Sequence, residues 1–174
     1  SPGYDETTGI LFEATDDVPP VPKAPSKEEA ALALQRLLKP FEKFPVVDAE
    51  GWGILLAAIL TAAVRPALLT SPAFGFDAPV QGSGKTLLAN CMAVLVSGEM
   101  PTVWPHTAGR DDEEVRKRLF TALRNGSRAL VWDNIVGTFD SAAMAAALTS
   151  GNFTDRVLGK SESISVPNRA VMLM

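Results

Sequence analysis

The residues Asp77-Ala78-Pro79-Val80-Gln81-Gly82-Ser83-Gly84-Lys85-Thr86 set two glycines, a lysine and a threonine at a spacing suited to holding phosphate. An apolar segment, Pro72 to Phe76, leads into them, and a helical run, Leu87 to Val96, leads away. A loop between a strand end and a helix start aims backbone N–H groups at one point, and the helix dipole adds partial positive charge there. Gly82 and Gly84 lack a Cβ, so the backbone can wrap closely around phosphate oxygens. Lys85 supplies a mobile cation for β- and γ-phosphates, and the Thr86 hydroxyl can ligate Mg²⁺. The expected ligands are ATP and Mg²⁺. The expected nucleotide contacts are Pro79, Val80, Gln81, Gly82, Ser83, Gly84, Lys85, Thr86 and Leu87. The full signature G-x-x-x-x-G-K-[ST] has a glycine where this chain has Pro79, whose φ of about −65° stiffens the start of the loop. A chance Gly-Ser-Gly turn before a helix is the plain alternative. The order strand, loop, Lys-Thr, helix argues against it.

A second segment complements the loop. Ala129-Leu130-Val131-Trp132-Asp133 is a short apolar run ending in a carboxylate, as expected of a central parallel strand buried on both faces. Open α/β sheets bind ligands beyond the carboxyl ends of their strands, which puts Asp133 beside the loop as the acid on the Mg²⁺ side. The alternative is a strand-ending Asp that caps a turn.

These residues need a sheet and helices to hold them. The chain has 174 residues, enough for one domain with a sizeable core. Its 47% hydrophobic and 21% charged content is that of an ordinary globular protein. Cys91 is the only cysteine, which excludes an intramolecular disulfide, reads as a buried core thiol and fits a reducing cytoplasm. The longest apolar stretch, Trp52 to Val64, stops at Arg65-Pro66 and reads as too short to span a bilayer, so no membrane is expected. The net charge of −4 argues against a broadly basic nucleic-acid binder. Residues 1–25 account for all of it, with Asp5, Glu6, Glu13, Asp16 and Asp17 against Lys23, so any nucleic-acid surface must be a local patch.

In chain order, residues 1–25 read as a Pro-rich acidic tail or linker. Residues 26–45 read as a helical segment in which Ser26 and Glu29 form a capping box and Pro40 ends the helix. Residues 46–174 read as the core. A helix from Ala49 to Val64 is expected, capped by Asp48, apolar nearly all round and therefore buried. Gly98 should end the helix after the loop, and Pro101 to Trp104 should form a strand. His106 is the only histidine and reads as structural. A helix opening at Arg110-Asp111-Asp112 should present Val115, Leu119 and Leu123 on one face and end at Asn125-Gly126. After a helix from Asp140 to Leu148, Val157 to Lys160 and Ile164 to Val166 read as a β-hairpin, and Arg169 to Met174 as a last strand.

This order of loop, Asp-ended strand, hairpin and final strand resembles the superfamily 3 helicase core, a branch of the AAA+ ATPases, in the form found in phage and mobile-element replication and often fused to primase domains. The likeness rests on Phe76 to Thr86, on Leu130-Val131-Trp132-Asp133-Asn134, on Thr149 to Lys160 and on Pro167 to Met174. The resemblance implies an α/β P-loop NTPase fold: a parallel sheet flanked by helices, with a helical N-terminal extension and a β-hairpin before the last strand. It implies a Mg-dependent ATPase working as the motor of a replicative helicase or primase-helicase, in a homo-oligomeric ring, a hexamer, moving along single-stranded DNA. Lys85, Asp133 and Asn134 are then the catalytic group, although many relatives carry a second acid at the position of Asn134. Thr86 and Asp133 hold the metal. Arg156 faces DNA or a neighbouring subunit, unless it simply pairs with Asp155, and Lys160 at the hairpin turn touches the DNA backbone, unless it is a solvated turn. The sensor asparagine and arginine finger of relatives fall past Met174, so the resemblance implies a core truncated at the sensor strand. Two other classes stay open. One is an ATP-dependent DNA-binding clamp or switch that hydrolyses slowly. The other is a small-molecule P-loop kinase, against which the hairpin and the lack of an evident acceptor-site base weigh.

Overall fold

A computed structural model describes residues 3–6, 10–12, 22–80, 82–105, 112–156 and 162–174. Gln81, His106, the helix-opening Arg110 and Asp111, and the segment from Val157 to Lys160 lie outside the described residues, as does most of the expected tail. The chain divides into two units, 1–40 and 41–174.

In the first unit, β1 (Gly3–Asp5) and β2 (Ile10–Phe12) pair antiparallel with Tyr4 opposite Leu11, a pairing not expected from the Pro-rich composition. The helix α1 (Lys27–Leu38) starts as its sequence requires. The Glu29 N–H donates to Ser26 Oγ at 3.1 Å, and the Ser26 N–H donates to Glu29 Oε2 at 2.7 Å.

The second unit begins with Phe41, which is fully buried. Its elements follow in order: α2 (Ala49–Val64), β3 (Ala73–Phe74), α3 (Lys85–Ser97), β4 (Val103–Pro105), α4 (Asp112–Arg124), β5 (Ala129–Asp133), α5 (Ala142–Thr149), β6 (Asn152–Arg156), β7 (Ser163–Pro167) and β8 (Val171–Leu173). Four strands form a parallel sheet in the order β3-β8-β5-β4. β5 is interior, as its apolar run requires, and Ala129 to Trp132 are all buried. Alternation splits the sheet side chains between two faces. Leu130, Trp132 and Met172 pack with Leu119, Phe120 and Leu123 of α4, and Met144 and Ala147 of α5 complete that layer. Val131 alternates to the opposite face, where α3 packs on β5 and α2 packs on α3. The chain is thus α/β, with a parallel sheet flanked by helices.

Local signals set the helix ends. Asp48 Oδ1 accepts from the Gly51 N–H at 2.7 Å and starts α2, while Gly98, at φ 76°, ends α3. Gly126, at φ 77°, follows α4. Two expectations need correction. α2 is buried on one face only: Leu55, Ala58, Ile59 and Ala62 are covered, whereas Ile54, Leu60 and Val64 are about half exposed. With the following 3₁₀ turn this helix spans Ala49–Ala67, 19 residues, and is by length and composition apolar enough to cross a membrane. The expectation of too short a stretch left out its first turn and its 3₁₀ extension. Asn152–Arg156, a stretch for which no strand was expected, pairs with β7, with Phe153 and Asp155 facing inward; the expected strand from Val157 to Lys160 lies outside the described residues.

Two buried polar side chains tie distant parts together. Arg65 is 1% exposed; its Nε donates to the Ala170 carbonyl at 3.0 Å and its Nη1 to the Leu68 carbonyl at 2.7 Å. Burial pushes its pKa below the usual arginine value. The Asp155 carboxylate, buried in β6, pairs with Arg116 of α4.

Arg65→Ala is expected to lower the unfolding free energy by about 3 kcal/mol, because two carbonyls lose a charged donor and a cavity opens. Arg65→Lys should recover less than half of that, having no planar fork. Urea titration of both variants measures it, and a loss under about 1 kcal/mol for the alanine variant would show that these bonds are not structural. A double-mutant cycle of Arg116→Ala and Asp155→Ala should show a coupling of about 1–3 kcal/mol. A coupling near zero would mean that the hairpin is held by its apolar face alone.

Candidate functional site

The β3 strand, the connection 75–84 and α3 lie in the expected order. β3 counts only two residues, but its pairing continues: the Met174 N–H donates to the Phe74 carbonyl at 2.9 Å and the Phe76 N–H to the Met174 carbonyl at 2.7 Å. The chain then turns through Gly82 and Gly84, at φ 83° and 90°. A Cβ at Gly82 would meet nothing within 4 Å, so glycine is required there by backbone conformation and not by crowding.

Gly84 caps α3 without a side chain. The helices α1, α2 and α5 are capped by Ser26, Asp48 and Ser141. At α3 the first-turn N–H groups of Lys85, Thr86 and Leu87 therefore have no side-chain acceptor and lie at the positive end of a 13-residue helix. Ser83 Oγ is buried and has no hydrogen-bond partner among the described residues. Lys85 is half-buried and forms no ion pair among them. Donors and a cation therefore converge on the loop, and their local acceptors are missing.

Asp133 reaches this loop from β5. Thr86 Oγ1 donates to Asp133 Oδ1 at 3.0 Å, and the same oxygen accepts from the Asn134 N–H at 2.8 Å. The register explains the meeting. Val131 pairs with Leu173 and Leu173 with Phe74, so the last residues of β5 and the start of the loop share one sheet edge. Asn134 takes φ 57°, a left-handed conformation that asparagine tolerates better than most residues.

Among the described residues no group of three or more His, Cys, Asp or Glu could hold a metal. The Thr86–Asp133 pair still fits Mg²⁺, which typically takes one or two protein oxygens and completes its shell with water and phosphate. The unpartnered Ser83 hydroxyl and the uncapped N–H groups fit the phosphates that would accompany it.

Beside the loop lies a cleft of about 240 Å³ that the sequence reading did not foresee. Phe44, Val46, Val47 and Ile54 form one wall, and Ser83, Gly84 and Lys85 bound the other end. The wall is tied down by short-range bonds. The Phe44 N–H donates to the Phe41 carbonyl at 3.0 Å, and the Val46 N–H donates to the Phe44 carbonyl at 2.8 Å. Val46 packs so closely on α2 that a Cβ at Gly51 would lie 2.9 Å from its Cγ1. A Cβ on Gly84 would stand 3.5 Å from the Phe44 ring, so the wall runs directly onto the loop. Only the pairing of distant segments, 41–48 with 75–85, makes this cleft. No local pattern announces it.

The structure thus brings together Gly82, Ser83, Gly84, Lys85, Thr86 and Asp133, with Asn134 at the adjoining turn. Pro79 and Val80 are exposed and do not line the cleft, and Leu87 is 59% exposed on the outer side of α3. Arg156 is exposed at the end of β6, apart from the cleft. It does not pair with Asp155, whose carboxylate turns inward to Arg116, and it has no ion pair among the described residues. Gln81 and Lys160 lie outside those residues. No family model matches the sequence, and neither a curated protein nor a solved structure matches it.

Proposed function

We propose that the second unit binds Mg·ATP on the loop 77–86 and hydrolyses it, as the motor domain of a replicative DNA helicase or primase-helicase of a mobile element. The observation that carries the nucleotide reading is the 3.0 Å hydrogen bond from the first-turn hydroxyl of Thr86 to Asp133 at the end of an interior parallel strand. It joins two oxygen-bearing side chains 47 positions apart that can face one cation.

In this reading the uncapped N–H groups of α3 and the loop bind phosphate oxygens, and Lys85 pairs with the outer ones. Mg²⁺, held through Thr86 and oriented by Asp133, supplies charge neutralisation at the β- and γ-phosphates. Asn134 cannot act as a base at neutral pH and serves at most to place the attacking water. Support for the helicase part comes from the antiparallel hairpin β6–β7 directly before β8, the order that the resemblance calls for. The ring, single-stranded DNA as partner, and the roles of Arg156 and Lys160 belong to the same proposal.

Titration calorimetry with Mg·ATP tests the loop. Lys85→Ala should weaken binding by about 10- to 100-fold, the scale of one charged hydrogen bond, and an unchanged affinity would overturn the assignment. Asp133→Asn should leave binding within a few-fold while lowering turnover by about a hundredfold, the scale of one electrostatic group acting on the transition state. Full turnover in that variant would return Asp133 to a turn-capping role. Turnover stimulated by single-stranded DNA supports the motor reading. Binding without stimulated turnover favours the clamp, and phosphoryl transfer to a small acceptor favours the kinase.

A further inference from the structure

Resting on the nucleotide reading, we infer that the cleft beside the loop takes the base by stacking and shape alone, so that the site accepts ATP and GTP alike and ranks nucleotides by base size. The wall facing the cleft is apolar: Phe44, Val46, Val47, Ile54, and Leu55 with Leu88 behind them. Two of these residues are left open in a way that calls for an occupant. Val47, on the segment packed against α2 and the loop, is 95% exposed, and Ile54, on α2 itself, is 54% exposed. Apolar side chains grouped at the mouth of a cleft mark a binding surface more often than isolated ones do.

Among the described residues the charged or polar side chains around the cleft are four, Asp48, Asp77, Ser83 and Lys85, and each of the two carboxylates engages one oxygen elsewhere. Asp48 uses Oδ1 to cap α2, accepting from the Gly51 N–H at 2.7 Å. Asp77 Oδ1 accepts from the Ala78 N–H at 2.7 Å. Ser83 and Lys85 belong to the loop and so to the phosphate end. Among the described residues no Asn, Gln, Thr, Tyr or Arg lines the cleft. On the wall backbone, the Val46 N–H is already bonded to the Phe44 carbonyl.

Telling adenine from guanine requires a donor or acceptor aimed at the 6-position, at N1 or at the 2-amino group of guanine. A site built that way can reject the wrong partner by about 10⁴-fold or more, whereas an apolar pocket distinguishes similar groups by only about 10- to 200-fold. Adenine and guanine present nearly equal faces for stacking, so their discrimination falls at the low end. A pyrimidine presents a smaller face and loses more. At about 240 Å³ the cleft is smaller than a pocket for a whole drug-sized ligand, which suits a base at the wall with the triphosphate lying outside over the loop.

The test is a set of affinities for the full chain by titration calorimetry, with the Mg²⁺ complexes of ATP, GTP, CTP and inorganic tripolyphosphate. The expected order is ATP and GTP within about tenfold of each other, CTP weaker, and tripolyphosphate weakest. Ile54→Ala should weaken ATP and GTP equally, by about three- to tenfold, and leave tripolyphosphate unchanged. Val47→Ser, at an exposed position whose change cannot disturb the core, should act in the same direction. Asp48→Asn keeps a capping oxygen and should leave the ATP-to-GTP ratio unaltered. The inference is overturned if ATP exceeds GTP by more than a hundredfold, if Asp48→Asn changes their ratio, or if Ile54→Ala weakens tripolyphosphate as much as ATP. In each of those cases the nucleotide reading still stands. If none of the four ligands binds, that reading itself is wrong, and the inference falls with it.

Discussion

The contact between Thr86 Oγ1 and Asp133 Oδ1 holds the first turn of α3 against the end of β5. It depends on everything beneath it. β5 must be interior for Asp133 to stand at the middle of the sheet edge, and that position is set by a run buried from Ala129 to Trp132. Trp132 anchors the run sideways, with Trp104 edge-on at 5.0 Å between ring centroids and Phe139 at 5.6 Å. On the other side, α3 lies on β5, with Leu88, Ala89, Met92 and Ala93 buried. The hydroxyl and the carboxylate meet where two packed layers bring them together, and the loop 75–84 is the chain that must close the gap.

That closure concentrates unfavourable local features in one region. Gly82, Gly84 and Asn134 all take positive φ, α3 starts without a side-chain cap, and Ser83 Oγ is buried without a partner. The starts of α2 and α5 are satisfied: Asp48 caps α2, and Ser141 Oγ accepts from the Met144 N–H at 3.0 Å. Several departures from local rules gathered at one sheet edge are what functional sites show. The missing acceptors are all of one kind. Uncapped N–H donors, a hydroxyl and an ammonium favour an anion, while the carboxylate behind them favours the cation that accompanies it.

How legible each part is from the sequence follows from how local its cause is. Ser26, Asp48, Gly98 and Gly126 act over three or four residues, so the helices can be read almost to the residue. β5 is legible because its composition matches burial on both faces. β6 is not, because Asp155 occupies an inward position and breaks the apolar alternation; only Arg116, 39 residues earlier, explains why a carboxylate belongs there. Arg65 reads as a helix-ending charge, yet it is buried on the carbonyl of Ala170, 105 residues away. The exposed half of α2 is equally silent, since an all-apolar helix gives no clue to which face will be covered. In the site the loop and Asp133 are legible, whereas the wall 44–48 is not. Its four apolar residues carry no motif and gain meaning only beside Gly84.

The hairpin shows how the same two layers extend beyond the site. The inner face of β6 and β7 offers Phe153, Ile164 and Val166 to the α4–α5 layer, while Thr154 and Ser165 pair across the outer face at 3.1 Å. Apolar contact alone would let such a two-stranded ribbon slide. The Asp155–Arg116 pair prevents this, because separating it leaves a buried carboxylate without its cation. α4 is itself fixed at its start, where Asp112 Oδ1 accepts from Ser141 Oγ at 2.5 Å and from the Ala143 N–H at 3.2 Å. Asn168, at the turn before β8, donates to the Ala147 carbonyl of α5 at 2.5 Å. The ribbon is thus tied through α4 and α5 to the strand beside Asp133. Any displacement of its base must carry those helices with it, so in a nucleotide-driven motor this hairpin would move with the sheet edge as one body and would not hinge on its own.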